Sequence, residues 1–136
     1  MIVADTNLVV YATTGGDRAQ DAERVRERDP FWAAPPLWAS EFRNALVMHV
    51  RAGRLTRAEA HEAWGAGRAL VVDTPVDPAA VLDAAFARGL TGYDAEFVAL
   101  AEALAAPLVT DDGRVLAACP GVAVSIDDYG DGPAGA

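Results

Sequence analysis

The chain contains no lysine. Its eleven basic residues are all arginine and face twenty acidic ones, for a formal net charge of −9. That balance argues against broad, sequence-independent gripping of a phosphate backbone, which needs a basic footprint. A nucleic acid would have to be held locally, by individual arginines and by metal. The acidity also suits a basic protein partner. Cysteine is nearly missing: Cys119 alone excludes an internal disulfide framework and fits a reducing compartment. No apolar run approaches the roughly 18–20 residues of a membrane span, so no membrane contact is expected. The opening Met1-Ile2-Val3-Ala4-Asp5 has no basic stretch. A secretory leader is therefore not expected, and a cytoplasmic location is.

What is present is globular. The chain has 136 residues, 52% of them hydrophobic, enough to bury one core. No linker or repeat divides it, so residues 1–127 read as a single domain and 128–136 as a flexible tail. Short apolar runs without alternation stand at 1–4, 31–34, 69–72, 107–110 and 122–126. Helical stretches separate them: 7–13, 17–28, 37–52, a capped helix from Thr56 to 68, 78–88 and 91–105. Asp17 with Gln20, and Thr56 with Glu59, have capping-box spacing. Unalternating strands between helices predict an α/β fold of three layers, α/β/α, around a central, mostly parallel five-stranded sheet.

Four acids stand where a plain core or turn does not want a charge. Asp5 ends the first strand, and Asp112 follows the fourth. Open sheets of this class carry their sites at the carboxyl ends of strands. Glu41 lies on an apolar stripe of its helix, with Leu37, Ala45, Met48 and Ala52 within about 40° of it at 100° per residue. Asp94 shares a face with Val98, Ala101 and Ala105, while Glu96 is expected to point away. Each has a bland reading: Thr91 to Asp94 as a capping box, Asp112-Gly113 as a turn, Asp5 as a strand end. Unpaired buried carboxylates are costly. Four of them without four cationic partners suggest convergence on a divalent cation.

These residues fall into a known pattern. Ile2-Val3-Ala4-Asp5-Thr6-Asn7 with Tyr11 resembles the opening motif of PIN-domain nucleases. Pro36 through Ser40-Glu41-Phe42-Arg43-Asn44-Ala45-Leu46 is similar to the second. Leu90-Thr91-Gly92-Tyr93-Asp94-Ala95, continuing to Ala101-Glu102, resembles the third. Leu108-Val109-Thr110-Asp111-Asp112 resembles the fourth, with Asp111 as spacer. Single-domain length makes the chain most similar to the VapC-type toxins of bacterial toxin–antitoxin pairs. The resemblance implies a Mg²⁺ (or Mn²⁺) dependent endoribonuclease, a homodimer, an RNA substrate and a cognate antitoxin. It implies Asp5 and Asp94 as the most direct metal ligands, with Glu41 and Asp112 completing the site. Asn7 and Thr110 would hold carboxylates by hydrogen bonds. Without metal, at least one of the clustered acids should titrate high.

Two other classes compete. A non-catalytic scaffold of the same fold would bind protein or RNA without cleaving it. A phosphatase with Asp5 as nucleophile would want a second acid two positions on, where this chain has Asn7. His49 and His61 lack a ligand spacing and read as surface or partner contacts. Trp38 and Trp64 read as core or interface anchors. Asp17 to Asp29 reads as a solvated face with local ion pairs. Arg43, Arg51 and Arg54 lie on one side of the long helix, where they could touch RNA or an antitoxin, with solvation as the default reading.

Overall fold

The structure, a computed structural model, describes residues 1–132. Five short strands form one sheet: β1 (Ile2–Ala4), β2 (Trp32–Ala34), β3 (Val71–Asp73), β4 (Leu108–Val109) and β5 (Ala123–Val124), in the order β3-β2-β1-β4-β5. Every pairing is parallel, so the expected "mostly parallel" sheet is parallel throughout. β1, β2 and β4 are buried along their whole length, which is why their sequences carry no polar alternation.

The helices are α1 (Thr6–Thr14), α2 (Ala19–Arg28), α3 (Leu37–Arg51), α4 (Arg57–Leu70), α5 (Pro78–Arg88), α6 (Gly92–Leu104), α7 (Gly113–Ala118) and α8 (Ile126–Gly130). α1 packs on α2, α3 and α4, and α5 packs on α6. Right-handed crossovers from β1 outward to β3 and back to β4 put these two groups on opposite faces of the sheet. The chain therefore reverses direction between β1 and β4. In a doubly wound sheet that switch point opens the crevice where ligands bind.

α3 sets the rotation of the layer that carries Glu41. Its core stripe is Trp38, Phe42 and Leu46. Trp38, Phe42 and Trp64 of α4 stack mutually, with ring centroids 5.6 to 6.1 Å apart. Gly67 of α4 lets Phe42 in: a Cβ there would lie 2.5 Å from Phe42 Cε2. Trp38 also donates Nε1 to Asp73 Oδ1 at 2.6 Å, tying α3 to the end of β3. The stripe expected from Leu37 to Ala52 is thus off-centre. Met48 is half exposed and Ala52 exposed, because the aromatic stack turns α3 by one residue.

Two further expectations are corrected. Thr56 and Glu59 form their capping box, but Asp17 and Gln20 do not: α2 begins at Ala19 and has no side-chain cap. Residues 128–132 are not a loose tail either. Ser125 caps α8 through the Asp128 amide at 3.1 Å. Ile126 and Tyr129, three apart, bury their side chains, and Arg28 stacks 4.1 Å from the Tyr129 ring. The rest of the expected tail, 133–136, lies outside the described residues. No helix among the described residues is long and apolar enough to cross a membrane.

Candidate active site

Asp5 is the first residue after β1 and the N-cap of α1. Its amide donates to Val109 O at 3.1 Å, which fixes the end of β1 against the end of β4. Its carboxylate is held on both oxygens. Oδ1 accepts from the Thr6 amide at 2.8 Å, and Oδ2 accepts from the Thr110 hydroxyl at 2.5 Å. Thr110, wholly buried, in turn accepts from the Asp112 amide at 3.0 Å. One hydroxyl therefore spans the β1 and β4 ends. Asn7 is exposed, and its side chain makes no hydrogen bond among the described residues.

Asp112 is the N-cap of α7. Oδ1 accepts from the amides of Arg114 and Val115 at 2.9 and 3.2 Å, leaving Oδ2 open. Asp111 is engaged elsewhere: Oδ2 lies 2.9 Å from Arg18 Nη1, and Oδ1 accepts from the Ile126 amide at 3.3 Å.

Glu41 is half-buried on α3. Its Oε1 accepts from the Thr6 hydroxyl at 2.7 Å. This bond was not foreseen in the sequence, although Thr6 lies within the opening motif, because its partner is 35 positions away. Its one local signal is a small hydroxyl at the first turn of a helix that starts from a buried acid.

Asp94 is half-buried in the first turn of α6. Thr91 caps that turn through the Asp94 amide at 3.1 Å. The reciprocal bond that completes the box at Thr56 and Glu59 is not made here. The Asp94 carboxylate is therefore free of the cap.

Burial, only partly offset by the Thr110 and Thr6 hydrogen bonds, pushes the Asp5 carboxyl above its ordinary range, and the charges of Asp112 and Asp94 push the same way. Burial likewise raises Glu41 against the Thr6 bond, helped by Asp5, Asp94 and Glu96. Two of the four acids thus resist ionisation, chiefly because they are buried, with neighbouring carboxylates pushing the same way. Glu96 was expected to point away, yet its charge is felt at Glu41. Among the described residues no ion pair reaches any of the four acids.

The structure brings Asp94 and Asp112 close enough for their charges to be felt at Asp5, and Asp5 and Asp94 close enough to be felt at Glu41. It does not close them around a point. No three acidic, imidazole or thiol groups among the described residues gather closely enough to hold a bare ion directly. Hard carboxylate oxygens at this spacing fit a divalent cation that keeps several of its waters, as Mg²⁺ does. They do not fit a dehydrated ion caged by protein alone.

The PIN-domain profile matches residues 2–119. The chain therefore belongs to the PIN-domain family. It is 33% identical over 122 residues to Ribonuclease VapC3 of Pyrobaculum aerophilum, covering 84% of this chain and 91% of that protein. The crystal structure of PAE2754, also from Pyrobaculum aerophilum, superposes with a TM-score of 0.75 at 27% identity, covering 96% of each chain.

Proposed function

We propose that this protein is a Mg²⁺-dependent endoribonuclease, the toxin of a toxin–antitoxin pair, acting in the cytoplasm. The observation that carries this reading is the group formed by Asp5, Glu41, Asp94 and Asp112 near the switch point, with no ion-pair partner among the described residues and with Asp5 and Glu41 raised in pKa chiefly by burial. The similarity to Ribonuclease VapC3 supports the substrate class. A bound Mg²⁺ or Mn²⁺ supplies Lewis acidity for in-line hydrolysis of a phosphodiester.

The chain's residues do the rest. Asp5, fixed by Thr6 and Thr110, presents a carboxylate of set orientation. Asp94 and the open oxygens of Glu41 and Asp112 line the remaining walls. Together these four acids would hold a hydrated Mg²⁺ or Mn²⁺. Thr6 and Thr110 orient Glu41 and Asp5, as outer partners of a metal site do.

Partners are proposed on the same footing. A groove of about 600 Å³ between α3 and α4 is lined by Leu46, Val47, Val50 and Trp64 and rimmed by Arg43, Arg51 and Arg57. It suits an apolar antitoxin segment with acidic flanks. Arg54, grouped with Arg43 and Arg51 in the sequence, gives way to Arg57 there. The exposed Leu82 and Phe86 of α5 and Tyr93 of α6 favour a homodimer.

The test is cleavage of RNA by purified protein with Mg²⁺, with chelator, and with Asp5→Asn or Asp94→Asn. Loss of cleavage with retained circular dichroism is expected in the last three. Undiminished cleavage by either variant rejects the assignment. The open spacing of the acids also favours a second reading, a non-catalytic scaffold. It predicts no calorimetric binding of Mg²⁺ and no cleavage by the wild type.

A further inference from the structure

Arg18 lies outside every motif, in the turn before α2, yet it is the hub of a charge cluster that reaches the site. Its Nη1 lies 2.9 Å from Asp111 Oδ2, its Nη2 donates to Asp127 Oδ1 at 3.3 Å, and its Nε lies 2.9 Å from Asp21 Oδ2. The guanidinium sits 5.4 Å from the Tyr11 ring centroid. One side chain thus joins α1, α2, the β4–α7 loop and α8. Three carboxylates already neutralise it, so it is a poor phosphate anchor. Its partner Asp111 is mostly shielded, with 22% of its side chain exposed, and takes a second bond from the Ile126 amide.

The loop that carries Asp111 also carries Asp112. Successive side chains of extended backbone face opposite ways. The Thr110 hydroxyl faces Asp5 and takes the Asp112 amide, whereas Asp111 faces Arg18 and α8. Holding Asp111 on the outside sets the rotation of the loop, and with it the direction of Asp112. On the inside, among the described residues, the one side-chain restraint joining this loop to the β1 end is the Thr110 hydroxyl. We propose that Arg18 and Asp111 form a positioning pair that orients Asp112 toward the other three acids. The proposal rests on the metal-site reading above. It also explains why an acid occupies the spacer position between Thr110 and Asp112: its charge is used against Arg18, not in the site.

The experiment compares wild type, Arg18→Ala, Arg18→Lys, Asp111→Asn and the double variant Arg18→Ala/Asp111→Asn. Arg26→Ala, which loses an exposed pair with Glu23, is the control for charge. Two quantities are read well below each variant's Tm: Mn²⁺ affinity by calorimetry, and amide hydrogen exchange at residues 112–116 without metal. Expected are about a tenfold loss of Mn²⁺ affinity in Arg18→Ala and Asp111→Asn, the lower end for outer partners of a metal site. Faster exchange at 112–116, partial rescue by Arg18→Lys, and a double variant no worse than either single are expected with it. A merely structural role lowers Tm but leaves both quantities unchanged in the folded variants, and that result overturns the proposal. Wild-type protein that binds no Mn²⁺ overturns the metal reading instead. The pair then stands or falls on the exchange alone.

Discussion

The Thr110 hydroxyl donates to Asp5 Oδ2 at 2.5 Å and accepts from the Asp112 amide at 3.0 Å, so one buried oxygen couples two acids 107 positions apart in the chain. Thr110→Val keeps the shape and removes both bonds. It is expected to weaken Mn²⁺ binding and RNA cleavage by about 10–100-fold. It should also raise the Asp5 pKa further, because this bond opposes burial there. Calorimetry and single-turnover cleavage check the first effect, and a titration of the Asp5 carboxyl by NMR checks the second.

Asp5 should make the metal-free protein less stable as pH rises. Its folded pKa lies above its unfolded one, so its contribution is fully present below the ordinary carboxylate range and is lost as pH climbs through the raised value. Asp5→Asn removes the charge and keeps one acceptor oxygen, so one of the bonds from Thr110 and the Thr6 amide is lost at every pH and the pH-dependent part of the difference reports the charge. Its Tm, measured in chelator, is expected to exceed that of wild type near pH 7–8 by a few degrees, the scale of about 1 kcal/mol in a domain of this size. The gain should shrink toward pH 4. A gain independent of pH contradicts the account.

Thr6 is expected to set the acid limb of activity. Its hydroxyl lowers the Glu41 pKa against burial. In Thr6→Val that restraint is gone, so Glu41 stays protonated to higher pH. The acid limb of kcat/KM should then move upward in pH with the alkaline limb in place. An unmoved limb means Glu41 ionisation does not control the rate.

Two glycines of α4 should respond in opposite directions. Gly65 is exposed with nothing within 4 Å of an added Cβ, so Gly65→Ala is expected to stabilise by roughly 0.5–1 kcal/mol through helix propensity. Gly67→Ala would place its methyl 2.5 Å from Phe42, which Trp38 and Trp64 hold in place. It is expected to destabilise by roughly 1–3 kcal/mol despite the better propensity. Urea denaturation of the two variants decides the sign of each.

Short-range patterning was enough to read the strands, most helices and the strand-end placement of Asp5 and Asp112. These are local matters: short apolar runs, caps and turns act over a few residues, and a strand end in a parallel sheet is a site by topology. Asp94 was legible for the same reason, standing three residues after the Thr91 cap. The rest depended on packing between elements distant in the chain. The rotation of α3, and so the half-burial of Glu41, follows from an aromatic stack with α4 that no pattern within α3 encodes. The Thr6–Glu41 and Arg18–Asp111 contacts join residues 35 and 93 positions apart. The first turn of α8 became ordered because Arg28 and the core cover Tyr129, where sequence alone offered only a polar end. Local propensity names the acids, whereas the packing of distant helices decides how they face one another.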